Sequence, residues 1–180
     1  AALTINLNNL NDNAPALIDA TVAVDENSAN GTAVTNVNDS FTGTDLDRDG
    51  QAITYSLTAG NTGGAFAINA ATGAITVANS AALDFETTPS FTLTVQASDG
   101  TLSDTAAITV NLNNLNDNAP SIVDATVALD ENSANATAVT NVSDSFTGTD
   151  LDRDGEAITY SITAGNTGGA FAINAATGAI

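Results

Sequence analysis

The chain has 180 residues, of which 21 are acidic and two are basic, so its formal net charge is −19. This balance excludes a surface for nucleic acid or anionic membranes, because two arginines cannot offset the repulsion from phosphate groups. The sequence contains no Cys, His, Met or Lys, which excludes thiol chemistry, soft-metal sites, Ser-His-Asp triads, Schiff bases and Walker-type phosphate binding.

Alternating apolar and polar residues predict β-strands over residues 21–24, 53–57, 66–68, 75–77, 91–95 and 108–112. Clusters of Gly, Asn and Asp separate these runs, as in residues 60–64 and 99–100, and they predict turns. No apolar stripe with a period of 3.6 residues is sustained, so we expect almost no helix. Short strands of this kind, about seven per unit, predict an all-β, two-sheet sandwich.

An internal repeat organises the chain. Residues 15–75 match residues 120–180 at 53 of 61 positions, and residues 1–14 match residues 106–119 at 12 of 14, so the period is 120 − 15 = 105 residues. A unit of this length is one domain rather than a solenoid turn. We therefore expect the last strand and linker of a preceding repeat over residues 1–14, a complete domain over residues 15–119 and a truncated second domain over residues 120–180.

Acidic residues recur where the predicted strands end. They lie at residues 25–27, 45–50, 84–86 and 114–120, and Asp99 adds a carboxylate in a turn. Self-repulsion on this scale destabilises a compact chain unless cations neutralise it, and an inventory of oxygen ligands suits a hard cation such as Ca²⁺. A solvated polar turn is the alternative for residues 45–50. An EF-hand is excluded there, because the twelfth position counted from Asp45 is Ser56 rather than Glu and a strand follows.

Asp84 and Glu86 are two residues apart and could form a catalytic pair of carboxylates. Glycoside hydrolysis would need a cleft with sugar-binding aromatics, and the chain has two Tyr and no Trp. We therefore expect no enzyme activity. The linker around Asp117 carries carboxamides and a carboxylate ahead of Pro120, which indicates a binding segment rather than a flexible Gly/Ser spacer.

Taken together, these segments resemble a cadherin repeat. The family's linker Asp-x-Asn-Asp-Asn-x-Pro is matched by residues 116–120, its Glu-Asn by residues 26–27, its Leu-Asp-x-Glu by residues 83–86, and its Asp-x-Asp by residues 45–47 and 150–152. The resemblance covers the whole unit in order, and Asn114 stands where the family has an Asp. It implies tandem seven-stranded Greek-key β-sandwich domains of the immunoglobulin/cadherin-like type.

The resemblance also implies that Ca²⁺ sits between consecutive domains. At the junction after the first full repeat, the implied ligands are Glu26, Asp84, Glu86, Asn114, Leu115, Asn116, Asp117, Asn118, Asp150 and Asp152. At the preceding junction they are Asn11, Asp12, Asn13, Asp45, Asp47 and Asp99.

The near-identical repeats, rich in Ala, Thr and Asn, look like the extension region of a large bacterial surface adhesin. This predicts an extracellular, cell-surface spacer that Ca²⁺ makes rigid and that is anchored elsewhere in a longer chain. Its partners would be neighbouring repeats of the same chain and, through domains outside this segment, other surface proteins or glycans. We expect no membrane insertion, because no apolar run reaches the roughly 20 residues of a membrane span. Two alternatives remain open: repeats that themselves mediate homophilic or heterophilic adhesion, and a calcium-independent immunoglobulin-like structural repeat.

Overall fold

The computed structural model describes residues 1–8, 10–12, 14–37, 52–117, 119–120, 122, 124–142 and 158–180. Contacts between Cα atoms divide the chain into two units, Ala1–Asn114 and Leu115–Ile180, which we call unit 1 and unit 2. The domain boundaries predicted after residues 14 and 119 stay a prediction.

Unit 1 is a sandwich of two β-sheets. Its strands in chain order are β1 Ala20–Asp25, β2 Ala33–Asn36, β3 Thr54–Ala59, β4 Phe66–Ile68, β5 Ala74–Val77, β6 Ser90–Ser98 and β7 Ser103–Asn113. One sheet has the order β1-β7-β6-β3 and the other β2-β5-β4. Short 3₁₀ turns at Thr62–Gly64 and Ser80–Ala82 connect strands. The prediction of an all-β sandwich is confirmed.

The first and last strands of unit 1 run parallel at one edge of the larger sheet. Ala20 lies opposite Ile108, and the register continues to Asp25 opposite Asn113. Two carboxylates fasten this edge from outside the ladder: Asp19 Oδ1 accepts the Ala107 N–H at 2.8 Å, and Asp104 Oδ2 accepts the Leu17 N–H at 2.7 Å. Because β1 and β7 are parallel, the strand that opens the repeat and the strand that closes it end at the same pole.

The core lies between the two sheets and follows the period of two. In β6, the buried side chains are those of Phe91, Leu93, Val95 and Ala97. Phe91 meets Phe66 of the opposite sheet edge to face, with ring centroids 5.2 Å apart and an interplanar angle of 88°, a favoured aromatic geometry. Strand β7 alternates in the same way, so these two strands supply much of the apolar interior.

Unit 2 repeats some local features of unit 1. Asn141 and Ala179 form an isolated bridge at the positions of Asn36 and Ala74, which pair β2 with β5 in unit 1. Asn166 brackets Phe171 with two side-chain hydrogen bonds, as Asn61 brackets Phe66. Within residues 124–142 and 158–180, no pairing longer than this bridge forms. The turns therefore form locally where the sheets do not.

Candidate metal centre

Glu26 lies directly after β1, at the pole where β7 also ends. Its N–H donates to the Asn113 carbonyl at 3.1 Å. Its side chain is 1% exposed, and its Oε2 accepts the Phe85 N–H at 2.8 Å. The Asn27 N–H donates to the Leu83 carbonyl at 3.0 Å. These bonds hold residues 83–85 against the end of β1.

Three carboxylates meet at this pole. Glu26, Asp84 and Glu86 each offer an oxygen, and these three oxygens lie within 4.8 Å of one another. We call this set the carboxylate cluster. Asp84 is exposed, and its two oxygens accept the N–H and hydroxyl of Thr87, each at 2.9 Å. The Oε1 atom of Glu86 is buried and has no hydrogen-bond partner in the part of the chain that the structure describes. Like charges this close repel one another, so the cluster is a geometry that a cation would stabilise.

Asp99 lies at the opposite pole, in the turn before β7. Eleven residues of β7 separate the two poles, which is roughly 35 Å of extended strand. Asp99 is buried, and its Oδ1 accepts the Leu102 and Thr101 N–H groups, each at 2.7 Å. These two bonds hold the pKa of Asp99 below its usual value, against the opposing effect of burial. The Asn11 amide lies near enough to lower the pKa further, although its geometry falls outside that of a hydrogen bond.

This lowered pKa predicts an acid-sensitive contribution to the stability of unit 1. A carboxylate whose folded pKa is depressed stabilises the fold above its unfolded pKa, near 3.8, and loses that contribution as the pH falls through the lower folded value. We expect Asp99→Asn to lower the free energy of unfolding at neutral pH. This free energy should then fall less steeply as the pH drops below the unfolded pKa of Asp99. Urea unfolding measured across this pH range checks the expectation, and parallel curves for the two proteins would contradict it.

Some of the other predicted ligands are described by the structure, and the rest lie outside the residues that it describes. Asn11 and Asp12 lie in unit 1, where Asn11 is half-buried and both polar atoms of its side chain have no hydrogen-bond partner in the described part of unit 1. Asn114 is half-buried just past β7, and its Oδ1 is likewise buried without a described partner. Leu115, Asn116 and Asp117 are exposed at the start of unit 2. The remaining predicted ligands lie outside the described residues: Asn13, Asp45, Asp47, Asn118, Asp150 and Asp152.

Some carboxylates serve the fold instead. Asp25 accepts a hydrogen bond from the side-chain amide of Asn113 at 2.8 Å across the parallel ladder. This bond adds to those that Asp19 and Asp104 accept. Asp19 and Asp104 lie in none of the acidic clusters from which the calcium site was predicted. One signal was present, because Asp19 recurs as Asp124 in the second repeat.

The sandwich, with parallel terminal strands and acidic groups at both poles, defines a class of β-sandwich repeat module. A family model described as the cadherin domain matches residues 20–113, more than half of the chain. The chain therefore belongs to the cadherin family, whose members are extracellular, non-enzymatic adhesion proteins and whose domains generally bind calcium.

Relatives and solved structures agree with this assignment. Human protocadherin Fat 4 is 36% identical over 191 aligned residues, covering 100% of this chain and 4% of that protein. Human cadherin-related family member 2 is 40% identical over 125 residues, covering 67% of this chain and 9% of that protein. The chain thus spans less than a tenth of the length of these relatives.

Among solved structures, the extracellular domain of protocadherin GammaB4 is similar with a TM-score of 0.74 at 25% identity, covering 99% of this chain and 30% of that one. Mouse cadherin-23 EC22-24 is similar with a TM-score of 0.74 at 28% identity, covering 94% of this chain and 54% of that one. No helix formed by the described residues is both long and apolar enough to cross a membrane.

Proposed function

We propose that this chain is part of a calcium-stiffened spacer in a long surface adhesin. The observation that carries the proposal is the carboxylate cluster, in which Glu26, directly after β1, meets two carboxylates from the loop before β6, 58 or more residues later in sequence. A merely solvated acidic surface would spread these charges apart, because repulsion between them favours separation. Their convergence supports a bound cation as part of the native structure.

The donor chemistry of the cluster fits Ca²⁺. All of its donors are carboxylate oxygens, which a hard cation prefers. Glu86 Oε1 is buried with no partner among the described residues, a costly state that a metal ion would relieve. No Lys or Arg side chain lies within the described ranges to neutralise the cluster. Glu26 is fixed by the Phe85 N–H, so its carboxylate is positioned before any ion binds.

The linker would complete the site. We propose that Asn116 and Asp117, with the carbonyls of Leu115 and Asn118, join the carboxylate cluster in holding calcium, together with Asp150 and Asp152 of the second repeat. A matching half-site at the other pole would use Asp99, whose Oδ2 is buried and has no hydrogen-bond partner among the described residues. Asn11, Asp12, Asn13, Asp45 and Asp47 would share that half-site. Ions bound by oxygens from two successive repeats would fix the angle between them.

Direct adhesion by the repeat itself is the weaker candidate. It requires an exposed apolar patch. Within residues 14–37 and 52–113, Ile18 is the one large apolar side chain that is exposed. Adhesion would then belong to domains elsewhere in the longer protein, which would meet other surface proteins or glycans. The near-identity of the repeats supports a bacterial adhesin as the setting, whereas the two relatives described above are human and the cadherin-23 structure is from mouse.

Stiffening predicts a change in overall dimensions. Small-angle X-ray scattering of the 180-residue chain in calcium should give a sharply defined maximum dimension, which becomes broader when a chelator removes the ion and the carboxylates repel one another. Glu26→Gln should show the chelated profile even in calcium. Glu131→Gln is the matched control, because it makes the same change at the exposed counterpart position of unit 2. Profiles that do not depend on calcium would overturn the spacer proposal.

A further inference from the structure

The carboxylate cluster joins two segments that are far apart in sequence. Glu26 belongs to the turn between β1 and β2, whereas Asp84 and Glu86 lie in the loop between the Ser80–Ala82 turn and β6. These three like charges repel one another, so in the absence of a cation they push the two segments apart. A site that is formed before an ion binds therefore needs contacts outside the carboxylates that hold the two segments together.

Backbone contacts join the two segments close to the carboxylates. The Phe85 N–H donates to Glu26 Oε2 at 2.8 Å, and the Asn27 N–H donates to the Leu83 carbonyl at 3.0 Å. The first of these bonds depends on the carboxylate of Glu26, which the other two carboxylates repel. Both bonds lie next to the repelling charges, so they are the first to open when the carboxylates move apart.

Contacts at a greater distance from the charges are made by Asn30 and Ser80. Asn30 Oδ1 accepts the Ser80 N–H at 2.7 Å, and the Ser80 hydroxyl donates to the Asn27 carbonyl at 3.1 Å. These bonds span 50 and 53 residues of sequence. Each crosses from the turn that carries Glu26 to the start of the loop that carries the other two carboxylates. We call these two bonds the Asn30–Ser80 clasp.

Asn30 lies in a turn that is fastened to the end of β5. The Gly31 N–H donates to the Val77 carbonyl at 2.8 Å, and the Val77 N–H donates to the Thr32 carbonyl at 2.9 Å. Asn30 therefore presents its side-chain oxygen from an anchored backbone. The first N–H groups of a helical turn have no partner within that turn, so this oxygen accepts the N–H that the Ser80–Ala82 turn cannot satisfy by itself.

We propose that Asn30 and Ser80 are positioning residues of the metal centre, because the Asn30–Ser80 clasp keeps the two segments of the carboxylate cluster together before Ca²⁺ binds. This role rests on the proposed function, and neither residue is itself a ligand. Without the clasp, repulsion opens the segments in a fraction of the molecules. Only the closed fraction binds the ion with full affinity, so the apparent dissociation constant rises as that fraction falls.

Isothermal titration calorimetry of the 180-residue chain with Ca²⁺ measures this effect. Asn30→Ala removes the acceptor of the Ser80 N–H, and we expect it to raise the dissociation constant by roughly 3- to 10-fold, because one hydrogen bond makes a modest net contribution. Ser80→Ala removes the hydroxyl bond and should act in the same direction. Asn79→Ala is the control, since it removes a side-chain bond to the Gly63 carbonyl beside the same turn and leaves the clasp intact. Equal weakening by Asn30→Ala and Asn79→Ala, or none by either, would overturn the positioning role.

Amide hydrogen exchange in chelator tests the clasp without an ion. The Phe85 N–H reports on closure, because it is bonded to Glu26 across the two segments. Asn30→Ala should speed its exchange by roughly 3- to 10-fold, whereas Asn79→Ala should leave it unchanged. Calcium uptake by the wild type with unchanged Phe85 exchange in Asn30→Ala would overturn the positioning role alone. A wild type that takes up no calcium would overturn the proposed function, and the positioning role with it.

Discussion

Calcium is expected to raise the midpoint of thermal unfolding of unit 1 by roughly 6–20 °C when it replaces a chelator. Extracellular calcium modules bind at about 10⁻⁴–10⁻³ M, so an ion at about ten to a hundred times its dissociation constant stabilises the native state by about 1.4–2.7 kcal/mol. For a domain of about 100 residues, each 1 kcal/mol moves the midpoint by about 4–8 °C. Differential scanning calorimetry in calcium and in chelator measures the difference.

The carboxylate cluster is expected to account for this shift. Glu86→Gln replaces the carboxylate whose Oε1 is buried without a described partner by an amide of the same shape, and it should remove most of the calcium-induced rise. In chelator, the same substitution should leave the midpoint unchanged or raise it, because one of three repelling charges is gone. A structural carboxylate behaves in the opposite way, since losing it lowers stability in both conditions. Equal calcium-induced rises in wild type and Glu86→Gln would therefore exclude the cluster as the binding site.

Glu131→Gln is a matched control, because the two repeats bury this glutamate position to different extents. Glu131 corresponds to Glu26, but it is exposed in unit 2, so Glu131→Gln changes the net charge equally without touching the carboxylate cluster. It should keep the full rise in midpoint. A loss of the rise in this variant would mean that calcium acts on the overall negative charge instead of on one site.

Most of the sandwich could be predicted from the sequence because its strands are half-buried and alternate. The pattern of residues 91–95 and 108–112 places Leu93 and Val110 inward, and both are fully buried. Strand β2, Ala33–Asn36, was missed, because its four residues contain no clear alternation and its side chains are mostly half-buried. Such an edge strand is defined by its partner β5 more than by its own side chains.

Local sequence patterns predicted less of the candidate metal site than of the fold. Glu26 and Glu86 lie far apart in sequence, and only their match to a family motif placed them together. The bonds from Asp104 to Leu17 and from Asp19 to Ala107 span 87 and 88 residues. No local pattern encodes such contacts, since they depend on β1 and β7 being parallel neighbours. A strongly acidic sequence therefore conceals two kinds of carboxylate, those that fasten the sheet edge and those that are free to meet a cation.

Gly60→Ala is expected to destabilise unit 1 by about 2–5 kcal/mol. Gly60 follows β3 with a φ of +79°, a left-handed conformation that costs an L-residue about 1–2 kcal/mol. A Cβ there would also overlap the carbonyl oxygen of Thr92 in β6. Relieving an overlap with backbone requires β6 to shift, which adds about 1–3 kcal/mol or more. Because β6 pairs with both β3 and β7, the shift would disturb the centre of the larger sheet. Urea unfolding of the purified variant measures the loss.

Gly64→Ala separates the two contributions. Gly64 also has a positive φ, +64°, but no atom lies within 4 Å of the position its Cβ would take, so only the conformational cost of about 1–2 kcal/mol remains. Equal losses for the two variants would show that β6 yields without cost. Gly165, the counterpart of Gly60, keeps a φ of +77° with open space around it, because unit 2 has no described strand in the place of β6. The positive φ is thus common to both units, and the close approach to the Thr92 carbonyl oxygen is a feature of unit 1.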